Sequence, residues 1–193
     1  LTRPGGLTLS TAMSAPDHAT AAIRPIFDVP EWRSFQTAEF IPTRNRLLTA
    51  ASLATGVARL PAHVNLARFY VARGLYHEAK GILDLAFAEI KPNEEDASAL
   101  TLHAVASTLA GYPEIGAADI NNPAVTANID SQLWKALVLA RQEKWVDARE
   151  KFKNADFAIT ALPLDLQRIV IADAFRAALE VRDYPGAASR SND

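Results

Sequence analysis

Along "PTRNRLLTAASLATG" (42–56) the apolar residues stand at 47, 48, 51 and 54, the three-and-four spacing of an amphipathic helix, and Gly56 follows as its stop. From residue 60 onward the same spacing recurs in helix-length segments separated by very short breaks. The predicted helices span 60–73, 76–90, 94–110, 113–120, 130–143, 145–161 and 165–182, with a stub from 185. The breaks fall at Gly74, Lys91-Pro92, Gly111, Asn121-Asn122-Pro123, Lys144, Pro163 and Asp183. Connections this short turn neighbouring helices antiparallel, so the pattern predicts an all-α row of helical hairpins over 28–188, with a tail at 189–193. A short helix beginning at "PEWRSF", with Asp28 and Pro30 as start signals, precedes the row. Residues 1–27 carry Pro4, Gly5, Gly6, Pro16 and Pro25 and read as an extended arm or the tail of a preceding domain. Within them "GLTLS" alternates like a strand but has nothing to pair with. Opening at Leu1 without an apolar leader, the chain reads as a piece of something longer.

The hairpins look alike. In "LARFYVARGLYHEAKGIL" (66–83) Gly74 ends one helix, Tyr76 opens the next, and Ala79 lets the two approach closely. The same aromatic-then-small pair recurs as Trp145 with Ala148 and Tyr184 with Ala187, while Tyr112, followed by Ile115, fills the gap. The aromatic markers at 76, 112, 145 and 184 are 36, 33 and 39 residues apart. Intervals of about 34 residues are those of the tetratricopeptide repeat. Residues 60–92 resemble that family well: Leu66, Ala67, Tyr70, Gly74, Tyr76, Ala79, Leu83, Ala86 and Pro92 occupy its signature positions or nearly so. Residues 129–163 keep Ala136, Trp145, Ala148, Phe152, Ala155 and Pro163, with Glu143 where glycine is usual. The second unit keeps Tyr112 and little else, and the fourth stops after Ala187-Ala188. Stretches such as "DVPEWRSF" and "LWKALVLARQEKWVDAREKF" also resemble a group of large alphaproteobacterial tetratricopeptide proteins of unassigned role. These resemblances imply a right-handed α-solenoid of about three and a half repeats. They further imply a middle segment of a larger protein, with the periplasm or cell envelope favoured over the cytoplasm.

Composition narrows the chemistry. Twenty basic against twenty-two acidic residues leave a formal charge of -2, so no summed field draws nucleic acid or anionic lipid. With no cysteine, neither a disulfide framework nor a zinc–thiolate site is available. The most apolar segment, 169–181, is interrupted by Asp173 and Arg176 and is too short to span a bilayer. His77-Glu78 begins like the helical zinc motif HExxH, but position 81 is glycine and the second ligand is missing. His63 and His103 have no carboxylate or second ligand close in sequence, His18 has Asp17 beside it but no second ligand, and Glu94, Glu95 and Asp96 read as first-turn residues that neutralise a helix N-terminus. No nucleophile elbow, P-loop or dinucleotide glycine motif occurs. The chain therefore reads as non-catalytic, with no metal and no cofactor.

What remains is a surface. In stacked hairpins the first helix of each pair lines a concave face, where such proteins receive a peptide or partner helix. The repeat positions place Asn65, Arg68, Val71, Thr108, Leu137, Arg141 and Arg176 along it, apolar with scattered arginines. The family's carboxylate clamp is absent: Val64, Thr101, Asp130 and Trp134 stand at its polar positions. Trp32 and Trp145 read as core or hairpin locks, and Trp134 lies beside the groove. The expected function is protein–protein interaction with a peptide or partner helix. The alternative is a structural spacer whose groove touches only adjacent parts of its own protein, or is closed by its own N-terminal arm; an enzyme of unknown class comes third.

Overall fold

One turn is built four times. Gly74, Gly111, Glu143 and Arg182 all adopt positive φ, at 71°, 91°, 60° and 60°. After each, the next residue's N–H reaches the carbonyl five positions back: Leu75 to Tyr70 at 2.9 Å, Tyr112 to Ser107 at 2.8 Å, Lys144 to Leu139 at 2.9 Å and Asp183 to Ala178 at 2.8 Å. This is the left-handed helix stop that satisfies orphan carbonyls and redirects the chain. In every case a new helix begins two residues beyond the left-handed one, at Tyr76, Pro113, Trp145 and Tyr184.

The computed structural model describes residues 27–88, 90, 96–126 and 131–190. Apart from Phe27, the expected arm and its "GLTLS" strand lie outside them, as do His18, Glu94, Glu95, Asp130 and residues 191–193 of the expected tail. Among the described residues the structure is all helical: α1 (Val29–Thr37), α2 (Phe40–Leu53), a 3-10 turn (Gly56–Ala58), α3 (Arg59–Ala72), α4 (Tyr76–Phe87), α5 (Ala97–Leu109), α6 (Pro113–Ile120), α7 (Pro123–Thr126), α8 (Ser131–Arg141), α9 (Trp145–Phe152), α10 (Asp156–Thr160), α11 (Leu164–Glu180) and α12 (Tyr184–Arg190). The pairs α3–α4, α5–α6, α8–α9 and α11–α12 are the hairpins. Each packs on the next: α4 lies on α5, α6 on α8 and α9 on α11, while the first helices α3, α5, α8 and α11 touch in succession. Such neighbour-to-neighbour stacking is consistent with a solenoid.

Caps set several boundaries. Asp28 accepts the Glu31 N–H at 2.8 Å and Asp96 accepts that of Ala99 at 2.8 Å, which start α1 and α5. Gly56 does not cap α2 as expected: the helix ends at Leu53, Ala54 is extended, and Gly56 opens the 3-10 turn with φ 54°. The segment 145–161 is two helices, because Ala155 leaves helical geometry at φ -105°, ψ 0° between α9 and α10.

A small residue sits at the close approach of each hairpin, but the second marker is shifted by one. Tyr112 caps α6 from outside and is 47% exposed; Pro113 occupies the place of Tyr76, and the buried residue three further on is Gly116, not Ile115. A Cβ on Gly116 would meet Thr108 Oγ1 at 2.2 Å and the Ala104 carbonyl at 2.8 Å. Gly116→Ala is therefore expected to destabilise by about 1–3 kcal/mol, measured by urea denaturation. Adding Thr108→Ala should recover only part of the loss, since the carbonyl remains. Glu143 and Arg182 carry the opposite signature, side chains held in a left-handed backbone that costs roughly 1–2 kcal/mol. Glu143→Gly is expected to raise stability by up to about 1 kcal/mol in a thermal melt, glycine's unfolded-state entropy offsetting part of the relief.

Candidate protein-binding face

The face formed by the first helices is covered by the chain's own α1. Phe35 meets Phe69 of α3 edge-on at 5.7 Å, and Phe27, just ahead of α1, meets Trp134 of α8 at 5.3 Å. Gln36 donates from α1 to Asp165 at the start of α11. Through these contacts α1 and Phe27 join the first, third and fourth hairpins. Trp32 and Phe35, three residues apart, are 5% and 8% exposed and form the helix's apolar side.

Polar groups fix the seat. Glu31 faces Arg68 of α3 at 3.7 Å. Arg73, the residue before the first left-handed turn, donates from Nε to the Phe35 carbonyl at 2.7 Å and from Nη2 to the Ala38 carbonyl. It thus places a cation at the negative end of α1, and its guanidinium also stands 5.6 Å from the Phe69 ring and 5.8 Å from Phe40. The fit is incomplete. Among the described residues Trp32 Nε1 and Arg68 Nε are buried without a hydrogen-bond partner. Clefts of about 530 and 410 Å³ lie either side of Trp32 and Gln36, the first against Pro163–Asp165 and the second against Val71, Gly74 and Tyr76. At this second cleft burial raises the Tyr76 phenol above its ordinary range, the Asp165 charge adds to the rise, and Arg141 opposes it.

The residues expected on this face divide accordingly. Val71, Thr108 and Leu137 are each about 1% exposed and therefore interior. Thr108 turns toward Gly116 and hydrogen-bonds the Ala104 carbonyl at 2.7 Å, inside the second hairpin. Indeed every residue from Ala99 to Thr108 is buried, so α5 is enclosed on all sides. Asn65 and Arg68 are half-buried, and Arg68 faces Glu31 of α1. Arg141 pairs with Asp173 at 2.8 Å, and burial raises that carboxyl despite the guanidinium beside it. Arg176 lies 4.9 Å from the Trp145 ring and 3.8 Å from Glu180. The arginines thus meet internal partners, which spacing along one chain does not reveal. Nor does it reveal Glu31, Gln36, Arg73 and Asp165, whose roles come from chain segments far apart; the visible trace was the Trp32/Phe35 spacing and the acid preceding it.

A second polar assembly lies in the first two hairpins. His103 of α5, whose sequence neighbourhood is empty, receives a carboxylate on each ring nitrogen: Asp119 of α6 at 2.7 Å from Nδ1 and Asp84 of α4 at 2.9 Å from Nε2. Phe87 closes over it edge-on at 5.4 Å, and Lys80 bonds Asp84 at 2.7 Å. Burial pulls the imidazole down, but the two carboxylates outweigh it and hold the pKa above the ordinary histidine value. With both nitrogens engaged, the ring ties three helices together. His77, by contrast, is on the surface, edge-on to Tyr112 at 5.9 Å, and His63 Nδ1 pairs with the Arg59 carbonyl at 2.9 Å. Among the described residues no cluster of His, Asp or Glu could hold a metal ion, and no helix is long and apolar enough to cross a membrane. No protein-family model, curated protein or solved structure matches the chain.

Proposed function

We propose that this chain is a non-catalytic protein-interaction module, a tetratricopeptide-like right-handed solenoid that receives a peptide or partner helix on the face of its first helices. The observation that carries the reading is α1 itself: a short amphipathic helix already lies across that face, held by aromatic contacts to Phe69 and Trp134 and by Arg68, Arg73 and Asp165. Helix-in-groove recognition uses the same elements, apolar anchors three or four residues apart with charged groups at the edge. The resemblance to envelope-associated repeat proteins suggests work as an assembly module within a longer polypeptide.

Alanine at both Arg68 and Arg141 is expected to weaken capture of a native partner by about 1–2 kcal/mol, roughly tenfold or more in affinity, read by titration of the full chain on the immobilised partner. Unchanged capture would overturn the groove reading. A second reading, a structural spacer, is favoured by the internal partners of the same arginines. Under it the full chain captures nothing, and alterations on this face reduce stability alone.

A further inference from the structure

We propose that α1 is an intramolecular occupant of the binding face, displaced by a partner helix that carries the same recognition pattern. This rests on the reading of that face as a binding surface. The pattern is written in "DVPEWRSFQT": an acidic residue immediately before the first of two aromatics three positions apart, and an amide after the second. Every element but Trp32, whose ring meets Phe27, has a receiver on the array. Glu31 meets Arg68, Phe35 meets Phe69, Gln36 meets Asp165, and the terminal carbonyls of α1 meet Arg73. The occupant is accordingly a short amphipathic helix of this type.

Three observations make α1 replaceable. Its seat is polar-deficient, because among the described residues Trp32 Nε1 and Arg68 Nε are buried without acceptors, and an unmade hydrogen bond in the interior weakens the closed form. Among the described residues open clefts of about 530 and 410 Å³ also flank Trp32, room into which a bulkier partner side chain would fit. Finally, Ala38 and Glu39 are both extended, at ψ 149° and 126°, so α1 joins α2 through a non-helical link about which it can swing. A helix of nine residues gains little from its own hydrogen bonds once detached. Docked and released forms then differ mainly by what the face supplies.

The test uses the full chain and a fluorescein-labelled peptide of residues 27–38. Three receptors are compared: the native chain; a released form, Trp32→Ala with Phe35→Ala, whose face is intact; and a locked form, Gln36→Cys with Asp165→Cys, joined by a short bismaleimide in a protein otherwise free of cysteine. A tethered occupant acts at roughly millimolar effective concentration. The peptide is therefore expected to bind the released form about a hundredfold more tightly than the native chain, and the locked form not at all. A peptide with both aromatics changed to alanine should bind none of them. Hydrogen exchange on the native chain supplies a readout that needs no variant: excess peptide should accelerate exchange of α1 amides while those of α5 stay protected. Equal binding to released and locked forms, or α1 exchange unaffected by peptide, overturns the inference. If the released form binds an unrelated amphipathic helix but not the α1 peptide, the inference fails and the binding-face reading survives; if it binds neither, both fail.

Discussion

Trp32→Ala is expected to detach α1 from the array. The side chain is 5% exposed in the buried core and touches Phe27 edge-on at 5.6 Å, while Phe27 rests on Trp134, so removal of Trp32 breaks the aromatic chain that links α1 to α8. Truncating a buried aromatic typically costs about 3–5 kcal/mol when the surroundings must keep their places. Here they need not, because α1 can leave, so the loss is capped at the free energy of docking and will fall toward the lower end of that range. Two signals separate detachment from general unfolding. Amides of residues 27–38 should exchange at near-unstructured rates while those of α5 remain protected. Emission of Trp134, 2% exposed and covered on one side by Phe27, should move to the red. Exchange of α1 that is no faster than in the native chain would contradict the prediction.

His103→Leu should cost about 2–3 kcal/mol, below the 3–5 typical of a fully buried pair because Asp84 is about half exposed. Leucine restores apolar volume but leaves Asp119, 15% exposed, facing an uncharged neighbour. The diagnostic is the pH dependence. His103 binds its proton more tightly folded than unfolded, so its contribution is complete below about pH 6.5 and disappears as pH rises through the elevated folded value. Asp84 works in the other direction. Burial alone would raise it, but the hydrogen bonds from Lys80 and His103 hold it below its ordinary value, so its contribution is present above about pH 4 and lost as pH falls through the lowered one. The native chain should therefore be most stable in urea at mildly acidic pH and weaken toward pH 9. In the variant the alkaline decline should flatten, and an identical slope in both proteins would show that His103 does not carry it.

The helical hairpins were legible in the sequence because their signals are local. Apolar spacing and Gly74 mark the first pair, and seven of the eight helices in the four pairs begin within one residue of where periodicity places them, α5 being the exception. The repeat was harder to see than it is regular. Two of its four left-handed positions are held by Glu143 and Arg182, residues that betray no preference for that geometry, and packing of the flanking helices overrides their cost. The slip from Pro113 to Tyr112 has a similar cause: an aromatic at the helix cap looks like the marker, while the residue that decides the register is Gly116, through its approach to Ala104. The proposed binding face was legible only as a list of positions. That Val71, Thr108 and Leu137 are interior and that α1 lies over Arg68 follows from contacts between distant segments. His103 is the same lesson at one residue, with its partners 16 and 19 positions away.

Gln36 and Asp165, which tie α1 to the fourth hairpin, are 129 residues apart. At 5–20 residues per second a ribosome takes roughly ten seconds to travel that distance. Through most of that delay α1 has Phe69 and Arg73 of the first hairpin to rest on but neither Trp134 nor Asp165, which leaves a partly covered aromatic stretch suited to a holding chaperone. The α11–α12 hairpin thus decides when α1 is fully put away.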